Sequence, residues 1–186
     1  MAPPPRVADN VAVDPTQTAL IVAIPEAEPA VAEVRDRLDR SASWGVPAHV
    51  TVVFPFLPPE KIDESVAAVL SRVARSVPAF FLTLDRFGWF DQRVLWLAPD
   101  PPEPFRHLTV AVTARFPSAQ PYGGAFDRII PHLTVAHDHP VDDLRAAATE
   151  VQAHLPIRAR VTALRLITGR PEPGGAWTTL AEFPLG

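Results

Sequence analysis

Two short stretches of this chain share one layout. His49-Val50-Thr51-Val52 and His132-Leu133-Thr134-Val135 lie 83 residues apart, each after a proline and a loop and each ahead of a helix-like segment. Side chains alternate across an extended backbone with a period of two. His49 and Thr51 therefore point one way and Val50 and Val52 the other, and the second stretch repeats the pattern. A chain built like this needs two strands that each bury one face and present an imidazole and a hydroxyl on the other.

The pattern around these strands alternates strand and helix. We expect strands over 18–24, 49–54, 79–87, 93–98, 132–137 and 176–183, with a single long strand over 157–168. Apolar stripes predict helices over 29–40, 58–77, 105–116 and 141–155. Segments 41–48, 118–124 and 171–175 carry glycine and proline and read as loops or turns. Pro78 and Pro156 precede strands at similar offsets, and Trp96 and Trp177 also fall near matching places. One unit thus occurs twice, which implies two lobes related by a pseudo-twofold axis, with the two His-x-Thr strands meeting at a central cleft. Residues 1–17 read as a flexible N-terminal segment, and 18–186 as one bilobal, internally duplicated domain.

Composition narrows the partners. The chain has 186 residues, no cysteine, a net charge of −4 and 47% hydrophobic residues. A packed core is within reach, and thiol chemistry and disulfides are excluded. An acidic chain gains little from counterion release on a long nucleic acid. The longest plainly apolar run, 19–24, is too short to cross a bilayer. We expect a cytoplasmic monomer that acts on a small substrate, with no membrane and no long duplex partner.

Imidazole gives or takes protons near neutrality, and a threonine hydroxyl can donate to a phosphoryl oxygen. Two facing pairs make a clamp in which one histidine activates the attacking oxygen and the other protonates the leaving oxygen. Each such transfer contributes about 10²- to 10⁴-fold. No cofactor and no metal are called for.

The segments Pro47-Ala48-His49-Val50-Thr51-Val52-Val53-Phe54-Pro55-Phe56 and Pro131-His132-Leu133-Thr134-Val135-Ala136 resemble the 2H phosphoesterase superfamily, the group of 2′-5′ RNA ligase-like proteins and cyclic nucleotide phosphodiesterases. The resemblance runs from about Thr18 to Phe183. It implies a LigT-like α+β fold of two pseudo-symmetric lobes, with antiparallel sheets lining a cleft and helices outside. It also implies hydrolysis of a 2′,3′-cyclic phosphate on a small nucleotide or RNA end, with His49 and His132 as the acid/base pair and Thr51 and Thr134 as phosphate-binding hydroxyls. RNA ligation by the same site run backwards, and non-catalytic binding of a nucleotide, are the rival activities. RNA-processing relatives often carry basic residues just after the second motif, where this chain has Ala136, His137, Asp138 and His139.

Other candidates are weaker. A third match, His107-Leu108-Thr109, falls in a predicted helix, where positions two apart diverge. His137 lies five residues beyond His132, so simple alternation puts it on the opposite face and argues against a metal site with His139. Trp44, Phe56 and Tyr122, with Phe126, are candidates for base stacking. None of Arg115, Arg128 and Arg165 stands out as a phosphate partner.

Overall fold

The computed structural model describes residues 15–125, 129–172 and 175–186. Most of the expected N-terminal segment, 1–17, lies outside them, and Gln17 already belongs to the first strand. Phe126 and Arg128 also lie outside them. Eight strands form one antiparallel sheet: β1 (Gln17–Ala23), β2 (His49–Val53), β3 (Phe80–Phe90), β4 (Val94–Asp100), β5 (Leu133–His137), β6 (Ile157–Val161), β7 (Ala163–Gly169) and β8 (Trp177–Pro184). Their order is β6-β3-β4-β5-β2-β1-β7-β8. The helices are α1 (Glu28–Leu38), a single turn α2 (Arg40–Ser43), α3 (Glu64–Arg75), α4 (Glu103–Arg115) and α5 (Val141–Gln152).

The order has a centre. β2 and β5 are joined through one pair, Val50 and Leu133. On one side follow β1, β7 and β8; on the other, β4, β3 and β6. The helices cross over this seam. α1, which leads into β2, packs on β5 and α5, while α4, which leads into β5, packs on β2 and α3. These contacts bury one face of the sheet in a shared core that includes Leu20, Val50, Leu95 and Leu133 from the strands and Val34, Leu70, Leu108 and Leu144 from the helices. The mixed helix and antiparallel-sheet architecture, a curled half-barrel of two lobes, is the one expected for a LigT-like fold.

Three expectations change. The long strand over 157–168 is two strands, broken at Thr162: β6 pairs with β3 at one end of the sheet and β7 with β1 and β8 in the other half. The buried positions are Ile157, Ala159 and Val161 before the break and Leu164 and Leu166 after it, so the alternation slips by one residue around Thr162, inside a run that is otherwise continuously strand-like. Trp96 and Trp177 sit in hairpins of the same kind but not in equivalent strands. β4 lies next to the central β5, whereas β8 is an edge strand. The helix expected over 58–77 begins at Glu64, because Asp63 accepts the Val66 amide at 2.9 Å and caps it, after a separate turn at Pro59–Lys61.

Candidate active site

β2 and β5 run antiparallel, and the pairing of Val50 with Leu133 sets their register. Carried one residue either way, that register puts His49 opposite Thr134 and Thr51 opposite His132. Val50 and Leu133 are fully buried on the helix side, so all four functional side chains share the other, half-exposed face. The two histidines become diagonal neighbours, about 7–8 Å apart as such pairs are. The charge of His132 is felt at His49, which agrees with that closeness.

Both rings are held in the same way. The Nδ1 of His49 lies 2.7 Å from the Pro47 carbonyl, and the Nδ1 of His132 lies 2.7 Å from the Ile130 carbonyl. A carbonyl only accepts, so each Nδ1 carries the proton and each Nε2 is left for exchange with a ligand. Burial pushes His49 down to about 4, the Arg35 guanidinium adds to the effect, and the Pro47 carbonyl and Asp39 oppose it. Burial also lowers His132, opposed by its bond to Ile130 and reinforced by His137. Both rings are therefore predominantly uncharged at neutral pH.

A family model described as the 2′-5′ RNA ligase superfamily matches residues 24–171. The chain belongs to that superfamily. Its fold is shared with several solved structures. It is similar to Escherichia coli LigT, crystallised with 3′-AMP, at 20% identity and a TM-score of 0.56 over 92% of this chain and 99% of the other. It is similar to TT0787 of Thermus thermophilus at 17% identity and a TM-score of 0.60, over 90% and 97%. A crystal structure described as a phosphoesterase matches at 21% identity and a TM-score of 0.53, over 92% and 99%. No curated protein sequence gives a significant match.

In this member of the superfamily the remaining candidates separate clearly. His107 is exposed on α4 while Thr109 is buried and donates to the Val52 carbonyl at 3.1 Å, so the third His-x-Thr points in two directions. Phe56 is 6% exposed and packs edge-on against Phe116 at 5.1 Å, which makes it a core residue and removes it from base stacking. The Tyr122 phenol shares a hydrogen bond with the Thr51 hydroxyl, and burial raises its ionisation above the ordinary value. Tyr122 is therefore tied to Thr51 by a polar contact. Its amide donates to the Phe54 carbonyl at 2.6 Å, which holds it at a positive φ of 53°. Trp44 is half-buried against a small apolar cluster of Ile21, Val46, Ile167 and Trp177. Arg165 pairs with Ile21 in register and so lies on the site's face, where it forms an ion pair with Glu182. Arg115 ends α4.

His137 overturns the simple phase argument. Leu95 pairs with Ala136 and Trp96 with Thr134, so Val135 is an extra residue, a β-bulge. The bulge resets the alternation, and His137, opposite Val94, lands on the same face as His132 and Thr134. It is exposed, and its Nε2 lies 3.1 Å from Asp138. β2 has the same bulge: Leu20 pairs with Val53 and Ile21 with Thr51, leaving Val52 extra. Phe54 thereby turns to the site's face, where it meets Trp177 edge-on at 6.0 Å. Among the described residues no group of three metal-ligating side chains comes together.

Sequence reading missed two supports. Arg35 and Asp39 form a buried ion pair, 2% and 6% exposed, behind His49. An Arg–Asp pair four residues apart on a helix reads as a surface feature, and only the burial of the loop after α1 reveals otherwise. Phe90 lies edge-on to His132 at 4.9 Å and Trp96 lies 5.9 Å away, so aromatic rings pack the second imidazole.

Proposed function

We propose that this protein is a metal-independent cyclic phosphodiesterase that opens the 2′,3′-cyclic phosphate of nucleotides or RNA ends. One histidine takes the proton of the attacking water through its free Nε2 as the oxygen bonds to phosphorus. The P–O bond to one ribose oxygen breaks, and the other histidine, in the minority form that has taken up a proton at Nε2, gives that proton to the oxygen. Thr51 and Thr134 donate to the phosphoryl oxygens, where added charge in the transition state rewards fixed donors. The observation that carries this reading is the register at Val50 and Leu133, which gathers two imidazoles and two hydroxyls on one face.

Both proton movements are supplied by side chains, so the chemistry needs no further group. LigT was crystallised with 3′-AMP and with phosphate, which makes nucleoside phosphates the first ligands to try. The test is turnover of 2′,3′-cyclic nucleotides in EDTA, with a pH profile shaped by two imidazoles. Undiminished turnover in His49→Ala or His132→Ala would refute the assignment. Ligation of RNA ends by the reverse reaction is the second reading, favoured by the superfamily to which the chain belongs. Joining of a 2′,3′-cyclic phosphate end to a 5′-hydroxyl end would favour it. Binding of a nucleotide without either reaction would favour a non-catalytic role.

A further inference from the structure

We propose that the buried Arg35–Asp39 pair is the positioning device of the first histidine: it fixes the loop that aims the His49 ring and keeps a cation behind it. The inference rests on the reading of His49 as a proton-transfer residue. The connection runs through hydrogen bonds. Arg35 Nε donates to Asp39 Oδ2 at 3.1 Å, and its Nη2 donates to Ser41 Oγ at 3.2 Å and to the Val46 carbonyl at 3.1 Å. Asp39 accepts the Ser41 amide at 3.0 Å and the Ser41 hydroxyl at 2.8 Å. The Val46 amide closes the loop on the Ser41 carbonyl at 3.1 Å. The next residue, Pro47, is the one whose carbonyl accepts the His49 Nδ1–H. Farther along the same helix, Glu28 accepts the Ala48 amide at 2.6 Å. α1 therefore grips the backbone on both sides of Pro47.

A stabilising role alone does not account for a charged pair here, since apolar side chains of similar volume often stabilise as well or better. What the pair adds is a cation near His49. The charged groups around that ring are Arg35 and Asp39 behind it and His132 across the seam, with Glu28 on the adjacent amide. Arg35 and His132 disfavour a proton on His49, whereas Asp39 favours one. Among the described residues the second half has no buried ion pair behind His132.

The test is an NMR titration of the histidine ring signals beside the pH dependence of kcat/KM on a 2′,3′-cyclic nucleotide. In Arg35→Gln/Asp39→Asn both charges leave while polar side chains remain. Arg35 outweighs Asp39 at this ring, so His49 should then bind its proton more tightly, with His132 unchanged. The acid limb of kcat/KM should move up with it. Arg35→Lys, which keeps the charge but loses the fork, should leave that limb at its wild-type position while kcat falls and KM is unaltered. An unchanged His49 titration in the double variant overturns the proposal. Should that variant fail to fold, Asp39→Asn decides: His49 should bind its proton more weakly, and tighter binding overturns the idea. Absence of turnover in the wild type would refute the proposed reaction, while the titration would still decide the role of Arg35.

Discussion

The two halves of the site present the same groups on different foundations. His49 follows a loop clamped to a buried ion pair, and Val46 of that loop belongs to an apolar cluster with Trp177. His132 is aimed by the Ile130 carbonyl and braced by the edges of Phe90 and Trp96, with an exposed imidazole, His137, further along its strand. Both rings nonetheless show the same tautomer and leave the same nitrogen free. What recurs is the backbone: histidine, hydroxyl two residues on, then a bulge. The surroundings of each imidazole are free to differ because the carbonyl two residues earlier fixes its orientation.

The strongest way to break this comparison is to remove each histidine. His49→Ala and His132→Ala should each lower kcat by about 10²- to 10⁴-fold, the range of one proton transfer; a large loss in only one of them would make the halves unequal in function. Thr51→Val and Thr134→Val come next. Loss of a hydrogen bond to a charged oxygen costs about 1.5–3 kcal/mol, about ten- to a hundredfold in kcat/KM. Only Thr51→Val should also release the Tyr122 phenol, which tyrosine fluorescence or NMR can follow.

Two glycines sharpen the contrast. A Cβ on Gly88 would lie 2.1 Å from the Trp96 ring, and one on Gly169 would lie 2.5 Å from both the Ala176 carbonyl and the Trp177 ring. Each alanine should cost about 1–3 kcal/mol as overpacking does. Gly88→Ala should also lower kcat, because Trp96 braces His132, whereas Gly169→Ala should leave kcat near wild type. Thermal unfolding and steady-state kinetics on both variants read the difference.

The smallest effect concerns pH. His49 is held near 4 in the fold and returns to about 6.5 in the unfolded chain. Between those values the unfolded chain binds more protons, so stability rises with pH. The contribution is fully present above about 6.5, declines as pH falls and is gone below about 4. His132 shifts in the same direction. His49→Gln should flatten the dependence of the melting temperature on pH between 7 and 4; an unaltered slope would show that burial of His49 is not its source.

Much of this was legible in the sequence, for a physical reason. Strand alternation and helical stripes are local, so β2, β5, α4 and α5 fall close to their expected ranges, and the divergence of His107 and Thr109 follows from helical geometry alone. The break at Thr162 shows in the sequence only as a one-residue slip of the alternation between Val161 and Leu164, with no glycine or proline to mark it. The turn of His137 towards the site depends on an unpaired residue, Val135, whose role appears only when β4 is laid beside β5. Arg35 and Asp39 look like solvent-facing residues until the loop to Pro47 folds over them.

The paired bulges have a further consequence. Each acts like a frameshift in the strand, so that positions 54 and 137 address the cleft while the residues just before them, Val53 and Ala136, stay in the core. One lip of the cleft is consequently a phenyl ring and the other an imidazole beside a carboxylate. Changes at these two positions alter the rim of that face and leave His49, His132 and the hydrophobic interior in place.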